Sequence, residues 1–485
     1  MVKRTKKKTK SISSPCGIQG RARNISKAKA KKEEILADAR TIFTKYPYNK
    51  ASLRLICEKT GSNHNLIRYH FGSKAKLFEE LINLLIAELE TVLHATVKDI
   101  DNFPPQASLA LFIKQYLDFG FSHPDSMTII MHNIGNYDDS EFVIPGLALL
   151  KSIVTNTQHV LKKNFSIKAT EKELSMWIFG FTMATICSIG SAESLMLIAN
   201  LEKKNKTYRQ FVEISFNAAF FPSFLHLLNG SDSDAFEDLK VFPTKAGVFD
   251  QLKQIIPEPT PSVPKTKGEI TRNQMVQAAQ NVFSKLPYEV CSIRMIGKDG
   301  NFDFAQIRNY FPKKESLFFA VVKELFNEFV RDVLLVYEGL EKIKSVMETH
   351  NLATKRLLAH CYKNKQSLSL IVQNAARIGN IGTTLPGLDY IQKFITTIVH
   401  VSSEIETMKA PDKEMRIFLV FKILIYINSV GAATCYAKLY NMEPESKRYQ
   451  QWVYDTYIFL VYPKYRDMIL TYGVETADKI SKPFT

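Results

Sequence analysis

Between Ser52 and Lys74 the chain gathers Ser52, Arg54, Asn63, His64, Asn65, Arg68, Tyr69, His70 and Lys74. Hydroxyls, amides, imidazoles and fixed cations at this density serve hydrogen bonding and charge neutralisation. No Gly-rich phosphate loop, metal-ligand cluster or nucleophile motif accompanies them, so the chain reads as a binding protein and not an enzyme, with no metal and no cofactor expected. The same stretch is written a second time. Residues 35 to 78 recur without a gap from Met275 to Phe318, with 14 of 44 positions identical, among them Phe43/Phe283, Tyr48/Tyr288, Ser52/Ser292 and Phe71/Phe311. The cations that persist in the second copy are Arg294, Arg308 and Lys314.

The elements that must position these residues are helical. Gly and Pro are sparse inside long segments with apolar residues at three-and-four spacing, and no stretch alternates with period two, so the chain is expected to be all-α. A first helix from about Lys31 to Lys45 presents Ile35, Leu36, Ala39, Ile42 and Phe43 on one face and ends before Pro47. Ser52 suits an N-cap for a short helix through about Lys59. Gly61 can take the left-handed conformation of a tight turn, and Asn63 suits a cap for a third helix through about Phe71. Short helix, turn and short helix make a helix-turn-helix, whose second helix lies in the major groove of DNA.

These residues resemble the TetR/AcrR transcriptional regulators. The family pattern appears as Ser52-Leu53-Arg54-Leu55-Ile56, Gly61, and Tyr69-His70-Phe71-Gly72-Ser73-Lys74-Ala75-Lys76-Leu77. The resemblance implies that Asn63, His64 and Asn65 open a recognition helix within reach of base edges, where an Asn amide can pair with adenine; the alternative is capping and solvation. It also implies phosphate ligands among Arg68, Tyr69, His70 and Lys74, although the family commonly has an aromatic residue where Arg68 stands. Arg54 is either a phosphate ligand or the partner of a neighbouring carboxylate. In the second copy Phe302, Asp303 and Phe304 replace Ser62, Asn63 and His64, and the turn glycine has moved to Gly300, leaving Asn301 to turn left-handed. That copy is expected to be a folded helix-turn-helix with weaker or different DNA contacts, or a purely structural one.

The repeat continues one residue out of step through Asn133/Asn374, Pro145-Gly146-Leu147/Pro386-Gly387-Leu388, Gly190/Gly431 and Pro222/Pro463. Two tandem TetR-like units follow: a basic disordered arm (1–25), a helix-turn-helix domain (26–88), a helical regulatory and dimerisation domain (89–240), a linker (241–267), a degenerate helix-turn-helix domain (268–328) and a second helical domain (329–485). Just before the Pro-rich spacer, Val248, Phe249, Leu252, Ile255 and Ile256 could form one amphipathic helix. Regulators of this family act as two-fold dimers joined through their last two helices. The corresponding pairs are Leu174–Met196 with Tyr208–Leu227, and Met415–Lys438 with Tyr449–Leu470, which are expected to form an intrachain pseudo-dimer on a double-stranded, asymmetric DNA operator. A further oligomer stays open. By resemblance the helical domains hold an apolar cavity for a small apolar effector, so the function expected is that of a ligand-responsive repressor. Candidate polar anchors are His132, Asn133 and Trp177 in the first unit and Gln373 and Asn374 in the second; the alternative for each is a hydrogen-bonded core residue.

Charge and cysteine usage set the surroundings. The chain has 485 residues and a net charge of +16, and twelve Lys and Arg residues precede Glu33, the first acidic residue. Such an arm is drawn to polyanions, either nucleic acid or an anionic membrane surface. The six scattered cysteines fit a reducing cytosol, so the expected location is cytoplasmic and nucleoid-associated. Leu174 to Ala192 is uncharged for 19 residues, the length of a membrane span, but carries Ser, Thr and Gly and is expected to be a buried helix. The competing class is a nonspecific nucleoid-binding or membrane-tethered DNA protein without an effector.

Overall fold

The structure, a computed structural model, describes residues 16–96, 103–134, 147–192, 195–196, 205–240, 266–286, 288, 290–375 and 410–472. The sequence expectations for the spacer, for the apolar patch from Val248 to Ile256, and for Pro145, Gly146 and Pro386 to Leu388 lie outside the described residues. Among the described residues there is no strand. The chain divides into two compact units, residues 1–81 and 82–485.

The first unit is built on α1 (Cys16–Lys45), α2 (Leu53–Thr60), α3 (His64–Phe71) and the start of α4 (Lys74–Thr96). Ile35, Ala39 and Phe43 recur at helical spacing on α1 and are fully buried, as are Ile56, Ile67, Leu77 and Leu81. Phe43 meets Phe78 edge-on at 4.7 Å, and Tyr48 meets Phe78 at 5.1 Å. α1 is longer than the spacing predicts. It starts at Cys16, inside the segment expected to be a disordered arm, because Ala, Lys, Arg and Gln after Gly17 carry good helix propensity and no proline interrupts them.

The second unit contains α5 (Pro105–Ser122), α6 (Pro124–Ile134), α7 (Leu147–Asn164), α8 (Glu171–Gly190) and α9 (Asn205–Asn229), then α10 (Lys267–Lys285), α11 (Ile293–Gly300), α12 (Phe304–Tyr310) and α13 (Lys314–Tyr337). It ends with α14 (Val346–Lys363), α15 (Lys365–Ala375), α16 (Asp412–Gly431), α17 (Ala433–Leu439) and α18 (Lys447–Tyr472). Its centre is α8, on which every side chain from Met176 to Gly190 is buried. Among the described residues two helices, Glu171–Gly190 and Thr207–Asp232, are long and apolar enough to cross a membrane; 89% of the first and 44% of the second is buried in protein. A helix that is apolar all round needs neighbours all round, and α8 has α6, α7 and α9 on its own side and α16 and α18 across from it. Trp177 stacks on Phe181 at 5.0 Å, Phe220 of α9 meets Phe421 of α16 at 5.0 Å, and Phe179 meets Trp452 of α18 at 4.6 Å. Lys172 closes one end with an ion pair to Asp455 at 2.6 Å.

The first member of each last helix pair is shorter than expected, while the second runs from Asn205 to Asn229 and from Lys447 to Tyr472. α8 stops at Gly190, before Met196, and the segment from Met415 to Lys438 bends by 84° at Ala432 instead of running straight. Both stops come at glycines pressed on a neighbouring backbone. A Cβ at Gly190 would lie 2.8 Å from the carbonyl oxygen of Met127 on α6, and one at Gly431 would lie 2.7 Å from that of Leu368 on α15. Tyr208 of α9 donates to the Ser188 carbonyl at 2.6 Å, and Tyr449 of α18 donates to the Ser429 carbonyl at 2.8 Å.

After α9, residues 230–240 form a strap across α18 and α14. Phe236 stacks on Phe459 at 5.8 Å, and the Glu237 carbonyl accepts from Tyr462 at 3.0 Å and from Arg466 Nε at 3.1 Å. The Asp238 carboxylate accepts from Ser345 Oγ at 2.7 Å and from the Met347 N–H at 2.9 Å, so it reaches the N-terminus of α14, where a negative charge is favoured.

His350 of α14 lies buried among tyrosines, with Tyr465 at 5.3 Å and Tyr457 at 5.7 Å. Burial, and secondarily the charge of Lys422, hold its pKa well below 6.5, so it is folded as the neutral ring. Its unfolded form protonates near pH 6.5; stability is therefore complete above that pH and declines as pH falls towards the folded value. In His350→Phe this acid-side loss, measured by urea midpoints from pH 7 to 5, is expected to shrink. Gly190→Ala and Gly431→Ala are each expected to lower stability by about 1–3 kcal/mol, seen as a lower urea midpoint at unchanged slope.

Candidate nucleic-acid interface

The first helix-turn-helix forms where local chemistry expects it. Ser52 Oγ accepts from the Leu55 N–H at 3.1 Å, capping α2, and Asn63 Oδ1 accepts from the Leu66 N–H at 2.8 Å, capping α3. Between them Gly61 has φ of 59° and ends α2 in the left-handed region, where a side chain would be strained. Ile67 and Phe71 point into the core, so the opposite side of α3 presents His64, Asn65, Arg68 and Tyr69. Tyr69 is 78% exposed. His70 is half-buried, its ring 5.1 Å from that of Tyr69. One surface therefore offers an imidazole, an amide, a guanidinium and a phenol, a set able to reach bases and phosphates alike. Arg54 Nε donates to Glu58 Oε1 at 2.9 Å, with both side chains largely exposed; an exposed pair of this kind is weak and yields readily to a phosphate.

Lys74 is placed differently from the other cations. Its ammonium donates to the Tyr48 carbonyl at 2.9 Å and lies 4.1 Å from the centre of the Tyr48 ring. Burial lowers its pKa. The contact fastens the start of α4 to the loop before α2, so Lys74 sets the angle of the helices that carry the interface. The sequence signals this pairing of Tyr48 with Lys74 by repeating both, as Tyr288 and Lys314.

In the second unit α10 to α13 reproduce these local features. Lys314 donates to the Tyr288 carbonyl at 2.8 Å and the Cys291 carbonyl at 3.1 Å, 4.0 Å from the Tyr288 ring centre. Ser292 caps α11 through the Met295 N–H at 3.2 Å, and Asp303 caps α12 through the Gln306 N–H at 2.7 Å. Asn301 takes the left-handed turn with φ of 56°. Phe302 is only half-buried and packs on the core, its ring against Gly300 and its carbonyl against Gly297, so it is absent from the reading surface. Arg294, Phe304 and Arg308 are exposed, and the Arg308 guanidinium lies 4.6 Å from the centre of the Phe304 ring.

The effector candidates are all inside and all engaged. His132 and Trp177 are fully buried, Trp177 Nε1 donates to the Phe220 carbonyl at 3.3 Å, and Asn133 Nδ2 donates to the Ile129 carbonyl at 2.7 Å. Gln373 Nε2 donates to the Ser284 carbonyl at 2.5 Å; Asn374 Oδ1 accepts from the Tyr288 N–H at 3.0 Å, while its Nδ2 donates to the Leu370 carbonyl at 2.7 Å. Gln373 and Asn374 thus tie α15 to α10 and to the residue that holds Lys314. Gln373 also lines a cleft of about 730 Å³ with Ser284, Lys285, Tyr362, Lys365 and Glu445. Ile134, Val430, Ala432, Ala433 and Pro444 share the lining, which is therefore mixed in polarity. The apolar space between α8, α9 and α16, lined by Ala184, Phe216, Phe220 and Phe421, holds about 30 Å³, room for one water.

Residues 35–81 match the family model described as bacterial regulatory proteins, tetR family. No curated protein matches the chain. The matched segment runs from the buried face of α1 through α3 into α4 and contains every member of the first interface.

Lys74→Met removes the ammonium while keeping the bulk of the side chain. It is expected to destabilise the first domain by about 1–2 kcal/mol, read as earlier thermal loss of DNA binding, whereas Arg68→Ala, at an exposed site, is expected to weaken DNA binding with the melting profile unchanged.

Proposed function

We propose that this chain is a sequence-specific DNA-binding transcriptional regulator, a ligand-responsive repressor that works as an intrachain pseudo-dimer on an asymmetric operator, in the cytoplasm at the nucleoid. The family match over residues 35–81 supports DNA binding and transcriptional regulation by a helix-turn-helix. The observation that carries the finer reading is the recurrence of contacts at a spacing of 240 residues, or 241 after the one-residue step. Tyr48–Lys74 returns as Tyr288–Lys314, Met127–Gly190 as Leu368–Gly431, and Ser188–Tyr208 as Ser429–Tyr449. Chance identities do not preserve partners, so these pairs support two copies of one unit. The packing of α8 and α9 on α16 and α18 supports their association within one chain, since those are the helices through which such regulators pair.

Covalent connection gives the two halves a high effective concentration for each other and releases them from identity. Two unlike heads need not read a palindrome. The first carries Asn63, His64 and Asn65 at the start of its recognition helix and dominates affinity. In the second, Asp303 stands where a phosphate would be repelled, while Arg294 and Arg308 remain available to the backbone. An effector acts by binding one arrangement of the helical domains more tightly than the other. The cleft beside Gln373, lined by polar and apolar residues alike, supports a site for a small effector, because Gln373 also holds Ser284 of the second head.

Native mass spectrometry of the purified chain with its selected operator tests this. One chain per operator is expected, with affinity retained at nanomolar protein. Two chains per operator, appearing together at every concentration, would sink the pseudo-dimer.

A further inference from the structure

Phe304 occupies the position in the second head that His64 holds in the first, and it is 43% exposed on a protein whose large apolar side chains are mostly buried. Nothing in the core requires it there: Phe302, two residues earlier, already fills the space against Gly297 and Gly300. Arg308, one helical turn on, keeps its guanidinium 4.6 Å from the ring centre, so the ring is held in place by a cation that itself suits a phosphate. Arg294, Lys298 and Lys313 of the same head are exposed, as are the acidic Asp299, Asp303 and Glu315. An exposed phenyl ring braced by a guanidinium matches an occupant that offers an anion beside one apolar point.

DNA offers one such point in the major groove, the 5-methyl group of thymine; the other base-edge groups there are hydrogen-bond donors and acceptors. A phenyl ring has no hydrogen bond to give and would leave those groups desolvated and unpaired. We infer that Phe304 is a specificity-determining residue that selects thymine in the second half-site through its methyl group, with Arg308 bracing the ring. The two heads then read by different chemistry: the first through amide and imidazole hydrogen bonds, the second through an apolar contact. This inference rests on the second head binding DNA, as proposed above.

The test uses the full chain and its selected operator. The second half-site is the one whose phosphate protection is lost in Arg294→Ala. Each thymine there is replaced in turn by uracil, which removes only the methyl. Burying one methyl is worth ~0.8 kcal/mol, so at ~1.4 kcal/mol per tenfold the expected result is about a fourfold loss of affinity at one or two thymines. That loss should vanish in Phe304→Ala and persist in part in Phe304→Leu, while uracil in the first half-site should act alike on all three proteins. A protected second half-site with no uracil effect, or with an effect unchanged in Phe304→Ala, overturns the thymine contact while leaving two-headed binding intact. Absence of any protected second half-site overturns two-headed binding and this inference with it, and assigns the exposed phenyl surface to a protein partner.

Discussion

A helix buried on every side cannot be finished by the elements that follow it closely in sequence. α8 is such a helix, and the aromatic side chains of Phe179 and Trp177 face different neighbours: Trp452 and Tyr436 from the distant half, Phe220 and Phe224 from the near one. Because an uncovered apolar helix would be a large unsolvated surface, the requirement to cover α8 draws α16 and α18 onto it. The arrangement of the helical domains, the ion pair between Lys172 and Asp455, and the course of the strap over α18 all follow from that single demand.

Much of the interface was legible in the sequence because helix ends are decided locally. Ser52, Gly61 and Asn63 do what their types and spacing predict, and so do Asn301 and Asp303 in the second head. Where a role stays open in the sequence the physical cause is common, which is that side-chain type does not reveal a backbone partner. Lys74 and Lys314 read as phosphate-seeking cations, yet their ammonium groups are fastened to carbonyls. Gln373 and Asn374 read equally well as ligand anchors or as core ties, and the structure uses both to hold Ser284 and Tyr288. The strap was invisible for another reason: Asp234, Glu237 and Asp238 sit in a Ser- and Asp-rich break that reads as a turn, and their partners Ser345 and Arg466 are more than a hundred residues away.

The two heads show which parts of a helix-turn-helix are constrained by folding and which by ligand. Positions that make the lock, the caps and the aromatic core are kept in kind, with Phe283 on Phe318 at 4.9 Å repeating Phe43 on Phe78. Positions on the outer face of the second short helix are not, Arg68/Arg308 excepted. His64 and Phe304 share a place on the scaffold and nothing else, and exchanging one for the other leaves the fold untouched, since neither belongs to the core.

The distance in sequence between α8 and α18 also has a meaning in time. More than 250 residues separate the end of one from the start of the other, and at about 5–20 residues per second of synthesis the ribosome needs tens of seconds to cross that gap. Throughout that interval the nascent chain carries an apolar helix whose covering has not been made, and a strap whose anchoring arginine does not yet exist. The order of translation thus leaves α8 with its near neighbours alone until then, and makes the last helix, once it emerges, the one that completes its covering.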